Sequence, residues 1–423
     1  MKKVLIISYS FPPFNNIAAR RYGSMTKYMN EYGWKPYILT TNSEGTLPVE
    51  IDEQLILRVG TYPQNKNVNS KLLMKNDLPA VLYLIRCLTS TINFRLRTID
   101  RSVINWYKDV KDNIEYIAEY ATESDIILAS YGPPAALWIG RYLSKKYNKP
   151  WIADIRDLGA LRGDDRNKFS IWLDKKIEKF LFSTTNGFIT VSNTLETILA
   201  NEYKKDTKTI YNGWDIKTDE TDFVEPFPNS SIINYSYIYY AGVFYNHRIR
   251  SFELLIESLS NFNDENLILV LRSLGPKEIE EKIVEMAIRY NVEDRIVILQ
   301  PCPPNIVEQE QNNAIINLVI EDLDTSETWS RGTLTGKFLE LIIRKPPVLA
   351  IARYDSEIGE ILKNTSKGKL CSNVEEINCF LREIIFKKGK YTGNESEINK
   401  YSKKNQAREL SGFLDQMTIS EMK

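Results

Sequence analysis

One histidine, His247, occurs in 423 residues. A metal centre or proton relay built on several imidazoles is therefore excluded. The four cysteines, Cys87, Cys302, Cys371 and Cys379, have no C-x-x-C spacing. This argues against a zinc site and a disulfide framework and suits a reducing cytoplasm. Charge of either sign is not in excess: 55 basic residues face 55 acidic ones, so no global field favours nucleic acid. No apolar run approaches the roughly 20 residues of a membrane span. Pro79–Cys87 comes nearest and is interrupted by Arg86. The N-terminal run Val4–Ile7 is too short for a secretory signal, and Pro12-Pro13 closes the segment.

Two phosphate-binding signatures are missing as well. The first apolar run is followed by Ser8-Tyr-Ser-Phe-Pro-Pro13 rather than Gly-x-Gly-x-x-Gly, so a nicotinamide or flavin cofactor is not indicated. Around Gly336-Lys337 a P-loop would need glycine where Arg331 stands and Ser or Thr where Phe338 stands. Hydrolysis of ATP or GTP by a P-loop is therefore not expected.

What is present is an ordinary globular composition, 43% hydrophobic and 26% charged, in a chain long enough for two cores. Apolar runs at Val4–Ser8, Tyr37–Thr41, Leu55–Val59, Ile126–Ser130, Trp151–Ala153, Gly187–Val191 and Thr209–Tyr211 read as strands. Helical stretches near 17–32, 134–147, 167–183 and 193–203 alternate with them. Lys217–Ser231 carries four acidic residues and two prolines without periodicity and reads as a linker. The pattern restarts at Tyr237–Ala241, Leu267–Leu271, Ile296–Leu299, Ile315–Ile320 and Val348–Ile351. Such alternation predicts α/β architecture: two doubly wound Rossmann-like domains facing a cleft. The expected boundaries are 1–216 for the first domain, 217–231 for the linker and 232–395 for the second domain. A polar helix follows within 396–423.

The most informative segment is Thr335-Gly-Lys-Phe-Leu-Glu-Leu-Ile-Ile-Arg-Lys-Pro-Pro-Val-Leu-Ala350. It predicts a loop, a short helix opening at Gly336-Lys337, a stop at Pro346-Pro347 and a buried strand. Free N–H groups at a helix start, with the Lys337 ammonium, suit a diphosphate. Glu340 is placed one turn on, where a carboxylate can accept hydrogen bonds from a ribose diol. Gly242 ends a strand, and His247, Arg248 and Arg250 fall on the loop and helix start beyond it, where fixed cations could neutralise a departing diphosphate. On the other half, Asn15, Asn16 and Arg20 lie on the loop after the first strand, and Asp154, Arg156 and Asp157 follow a buried strand. Asp322-Leu-Asp324 is an Asp-x-Asp triple of the kind that can hold a divalent ion. The absence of supporting ligands favours no metal.

Together these stretches resemble the family-4-type retaining glycosyltransferases of the GT-B fold, in a bacterial polysaccharide-building branch. The motifs are Val4–Pro13, Gly33-Trp-Lys-Pro36, Pro150-Trp-Ile-Ala-Asp-Ile-Arg-Asp157, Ile189–Ser192, Tyr211-Asn-Gly-Trp-Asp215, Tyr240–Tyr245 and the 335–350 segment. The resemblance implies a nucleotide-sugar donor bound by Gly242, His247, Arg248, Arg250, Thr335, Gly336, Lys337 and Glu340. It implies a saccharide acceptor, carried on lipid, approached by Asp154, Arg156 and Asp157, with Asn15, Asn16 and Arg20 on the acceptor loop. No cofactor or metal is expected, and the C-terminal helix is expected to cross back to the first domain. Two departures stand out. Gly332 replaces the first glutamate of the family's E-x7-E pair, so its contribution is absent or supplied elsewhere, with Glu321, Asp322 and Asp324 as candidates. No histidine follows the Ser130–Pro134 turn. A nucleotide-sugar epimerase and a non-catalytic nucleotide-sugar-binding subunit are the alternatives. Residues 66–108 hold eight basic residues against two acidic ones, interleaved with Leu, Ile and aromatics. This composition predicts contact with an anionic membrane surface and hence a peripheral location at the inner face of the membrane.

Overall fold

The computed structural model describes residues 1–61, 96–161, 166–215, 227, 231–262, 264–324, 327–386 and 391–419. The chain forms two compact units, one of Met1–Asn212 together with the segment from Lys403 onward, the other of Gly213–Ser402.

The first unit carries β1 (Lys2–Ser8), β2 (Trp34–Asn42), β3 (Ile56–Thr61), β4 (Ile126–Ser130), β5 (Trp151–Asp154), β6 (Gly187–Thr190) and β7 (Thr207–Thr209). Their spatial order is β3-β2-β1-β4-β5-β6-β7. The pairings are parallel, with Val4 opposite Pro36 on one side and Ile126 on the other. A parallel strand in mid-sheet is covered by helices on both faces, which is why it must be apolar throughout. Val4–Ile7 and Ile126–Ala129 are accordingly sealed from solvent.

The second unit repeats the plan with β8 (Ser236–Gly242), β9 (Leu267–Ser273), β10 (Ile296–Leu299), β11 (Ile316–Ile320), β12 (Val348–Ile351) and β13 (Gly368–Cys371). Their order is β10-β9-β8-β11-β12-β13, again parallel. In both sheets the order reverses beside the first strand, between β1 and β4 and between β8 and β11. Crevices at the carboxyl ends of strands flanking such a reversal are the usual ligand sites of open α/β sheets.

The alternation of runs thus yields the expected doubly wound α/β class, with local differences. β7 lies two residues earlier than the Thr209–Tyr211 run. β13 was not anticipated, because Gly368-Lys-Leu-Cys371 is short and half polar. The helix expected after Gly336 is a single turn, Phe338–Leu341, with Lys337 at its N-cap. The chain then runs through turns to Pro347. Residues 62–95, most of the basic segment, lie outside the described residues, as does most of 217–231. In the remainder of the basic segment, Trp106 and Arg97 take part in packing the first unit. Helix Arg101–Asp112 buries Trp106 completely, and its indole N–H donates to the Val59 carbonyl at 2.9 Å. Arg97 donates to the Leu158 and Gly159 carbonyls. Among the described residues no helix is long and apolar enough to cross a membrane.

Helix Lys403–Ile419 completes the first unit's core. Ala407, Leu410, Phe413, Leu414 and Met417 join the cluster containing Val4, Tyr22, Trp34 and Ile189. Leu410 is fully buried there. Leu410→Ala should cost about 2–5 kcal/mol, read in chemical denaturation as an earlier loss of the first unit's transition.

Candidate functional sites at the two strand-order reversals

At the first reversal the central element is a buried ion pair. Helix Ile17–Met29 begins after Asn16, whose carboxamide oxygen caps it by accepting from the Ala19 N–H at 2.6 Å. This geometry carries Arg21 inward to Asp154 at the end of β5. The two meet in bidentate fashion, Nε to Oδ2 at 3.0 Å and Nη2 to Oδ1 at 3.1 Å. Both side chains are 0% exposed. Tyr22 and Ser130 hydroxyls also donate to Asp154, at 2.7 and 2.9 Å. Arg21 Nη1 donates further to the Ile210 carbonyl and the Asn212 side chain. Burial pushes the Tyr22 hydroxyl well above its ordinary pKa, so it remains a donor.

Asp154 is therefore a brace with no exposed surface for a substrate, and the expectation of direct acceptor contact is corrected to one of support. Arg156 is half-buried and donates to the Tyr131 carbonyl, while Asp157 is exposed. Asn15 accepts from the Thr46 and Leu47 N–H groups, at 3.0 Å each, and donates to the Thr46 hydroxyl at 2.8 Å. Asn16 donates to Ser10. Both amides hold the loop together. Arg20, the exposed neighbour of Arg21, has no ion pair among the described residues.

The second reversal gathers more of the expected donor residues. β8 ends at Gly242, packed so closely that a Cβ would meet the Tyr240 hydroxyl at 3.0 Å. Just before it, the Ala241 carbonyl accepts from Lys337 Nζ at 2.8 Å. This bond brings the 335–340 segment to the end of β8. The 3₁₀ turn Asn246–Arg248 then leads into helix Ile249–Ser260. Arg248 turns inward, stacks over the Tyr245 ring and pairs through Nη2 with Glu321 Oε2 at 2.8 Å. Glu321 follows β11 directly, and its carbonyl accepts from the Ser251 hydroxyl.

The pair is incomplete: Arg248 Nε and Glu321 Oε1 are buried without a hydrogen-bond partner among the described residues. Burial pushes the Glu321 carboxyl up to about 7, assisted by Asp322 and opposed by the Arg248 guanidinium. Lys337 is exposed, Gly336 and Thr335 are half-buried, and the Thr335 carbonyl caps the single turn through Phe338 N–H. Glu340 is half-buried and its carboxylate has no partner among the described residues.

The other expected residues separate from this group. Arg250 is exposed and pairs with Glu253 at 2.9 Å on its own helix. His247 is exposed and stacks on Tyr245 at 5.3 Å. Asp322 accepts from the Asp324 N–H in a local turn. One cluster was missed. Past the end of β12, the Asp355 carboxylate takes a two-pronged contact from Arg353 at 3.0 Å and a third from Arg331 at 2.7 Å. The signal available was Arg353-Tyr-Asp355, charged residues placed just past an apolar strand.

Two outcomes test this electrostatic picture. Asp154→Asn keeps the shape but leaves the Arg21 charge unpaired in the interior, so it should destabilise by about 3–5 kcal/mol in denaturant titration. For Glu321, the folded carboxyl titrates near 7, above its unfolded value. Its contribution is therefore complete below the unfolded value and is lost as pH rises through 7. Glu321→Gln should flatten the wild type's fall in stability over that window, measured by melting at a series of pH values.

No protein-family model matches the chain, and no curated protein matches it by sequence. Solved structures match along almost its whole length. Sucrose-phosphate synthase from Thermosynechococcus elongatus is 14% identical, covering 99% of this chain and 100% of that one, with a TM-score of 0.63. Anabaena HepE, solved with UDP and glucose, is 12% identical over 98% and 100%, with a TM-score of 0.60. A Listeria monocytogenes protein described as a putative UDP-N-acetylglucosamine 2-epimerase is 13% identical over 96% and 94%, with a TM-score of 0.51. With its two doubly wound parallel sheets, the chain has the GT-B fold.

Proposed function

We propose that the chain is a glycosyltransferase. It moves a sugar, with retention, from a nucleoside-diphosphate donor to a saccharide acceptor carried on lipid, in the assembly of bacterial surface polysaccharide. It works at the inner face of the membrane. The observation that carries the reading is the convergence of Lys337, Gly242 and the Arg248–Glu321 pair at the carboxyl ends of β8 and β11. The sugar and nucleotide named for Anabaena HepE support the substrate class.

In this reading Lys337 faces the diphosphate, while Glu340 accepts hydrogen bonds from the ribose hydroxyls. Gly242, where a Cβ would crowd the Tyr240 hydroxyl, keeps the end of β8 close beside the Lys337 contact. As the bond from the sugar C1 to the diphosphate oxygen breaks, the acceptor oxygen bonds to C1 on the same face. The acceptor proton passes to the departing phosphate oxygen. No protein base is needed, consistent with the absence of a histidine after the Ser130–Pro134 turn. The side chains supply orientation and charge stabilisation, and no metal is required.

An epimerase is the second reading. The buried carboxyl of Glu321, titrating near 7, is the kind of group that proton abstraction uses, and the Listeria protein carries that description on the same fold. Incubation with nucleotide-sugars in deuterium oxide without acceptor separates the two. Deuterium in the recovered sugar means epimerisation; sugar transfer to added lipid-linked saccharide without deuterium means transfer.

Glu340→Ala should raise the donor KM with little change in kcat, because the ribose is unchanged during transfer. Lys337→Ala should also lower kcat, because charge grows on the diphosphate as the sugar leaves. A charge-assisted hydrogen bond of about 1.5–3 kcal/mol implies roughly a 10- to 150-fold loss of kcat/KM in each case. Donor binding by calorimetry should persist in EDTA. Folded variants with wild-type kinetics would remove the donor site from this segment.

A further inference from the structure

We propose that the outer face of helix Lys168–Phe182 docks the first unit onto an anionic lipid surface. The helix sorts its side chains by charge and polarity. Its two acids face inward and are consumed there. Asp174 accepts from the Arg97 and Thr98 N–H groups at 2.9 and 3.1 Å and from the Thr98 hydroxyl, and pairs with Arg166. Glu178 accepts from the Ala160 N–H and the Tyr203 hydroxyl, at 2.8 and 2.7 Å. Every charged residue left exposed on the helix is a lysine: Lys168, Lys175, Lys176 and Lys179, the last of which pairs with Glu202 of the following helix at 3.6 Å.

Large aromatics lie among these lysines on the same side. Phe169 is 59% exposed and Trp172 53%, and their rings stack at 5.7 Å. Phe180 is exposed further along. At about 100° per residue the three aromatics and four lysines fall within an arc of about 140°. Lys176 Nζ sits 5.8 Å over the Trp172 ring, so the ammonium lies beside the apolar surface rather than away from it. Scattered exposed apolar residues are common and need no account. A stacked Phe–Trp pair ringed by lysines, on a helix whose acids are all withdrawn, is different. Its chemistry is that of an interfacial helix, with rings at the acyl boundary and ammonium groups among phosphates.

The placement is informative too. The helix follows β5 and leads to β6, so its first two turns, with Phe169 and Trp172, lie toward the edge of the sheet where the strands' carboxyl ends are. Asp157 and the Tyr131 loop occupy that same edge. Docking there would bring it to the depth of a lipid-borne headgroup. The inference thus deepens the peripheral-membrane part of the proposed function, with residues distinct from the basic segment 66–108.

The test is co-sedimentation with phosphatidylcholine vesicles, with and without phosphatidylglycerol. Wild type should partition onto the phosphatidylglycerol-containing vesicles. The double variant Phe169→Ser/Trp172→Ser should lose roughly tenfold to a hundredfold in partitioning. Lys175→Glu/Lys176→Glu should lose roughly 30-fold or more and show a weaker salt dependence. Brominated acyl chains should quench wild type more than Trp172→Phe. Wild-type partitioning by the serine variant, or partitioning indifferent to anionic lipid, overturns the proposal. So does a lipid-free oligomer that the serine variant abolishes, because the face would then meet protein. Nucleoside-diphosphate calorimetry on the same variants reports separately on the donor reading and should match wild type.

Discussion

Parallel pairing is the constraint from which the rest follows. A strand that runs parallel to its neighbour cannot be reached by a tight turn, so the chain must cross back over a face of the sheet between strands. Made six times in the seven-stranded sheet and five times in the six-stranded one, this crossing places every strand's carboxyl end at one edge of its sheet and covers both faces with helices. It also makes the order reverse once per sheet. At that reversal neighbouring loops leave in opposite directions and a crevice opens. The Arg21–Asp154 and Arg248–Glu321 pairs lie at those two points because β1, β4 and β5, and β8 and β11, deliver their ends there.

The two reversals treat a buried ion pair differently. At the first, Asp154 accepts from Arg21, Tyr22 and Ser130, so the cost of removing the charges from water is offset by a full set of hydrogen bonds. At the second, Arg248 and Glu321 share one contact and each keeps a buried polar atom with no partner among the described residues. A satisfied network is rigid, whereas an unsatisfied one can gain from a ligand or a proton. The contrast marks the first reversal as a satisfied brace and is the reason the proposed function draws on the second.

Much of the fold was legible because parallel strands buried on both faces announce themselves as continuous apolar runs. Val4–Ser8, Ile126–Ser130 and Val348–Ile351 fell within a residue or two of the observed strands. β13 escaped because an edge strand needs less apolar sequence, and Gly368-Lys-Leu-Cys371 has little. The turn at Phe338–Leu341 was read too long, since the apolar Leu341-Ile-Ile343 continues a helical pattern that the approach to Pro346 does not sustain. The sites were legible only as residue types at strand ends. Which cation meets which carboxylate is a tertiary fact: Arg21 and Asp154 are 133 residues apart, Arg248 and Glu321 73. Sequence spacing could not show that Arg21 turns in while Arg20 turns out.

The placement of helix Lys403–Ile419 sets an order of events during synthesis. The first unit's core includes Leu410, Phe413 and Leu414, yet those residues leave the ribosome only after the whole of Gly213–Ser402. At about 5–20 residues per second, the β1–β7 sheet waits on the order of ten seconds or more with the ground under this helix uncovered. The second unit is contiguous and has no such delay. The nascent chain therefore completes its second unit before its first, and the apolar surface awaiting Leu410 is where a chaperone would have the most to hold.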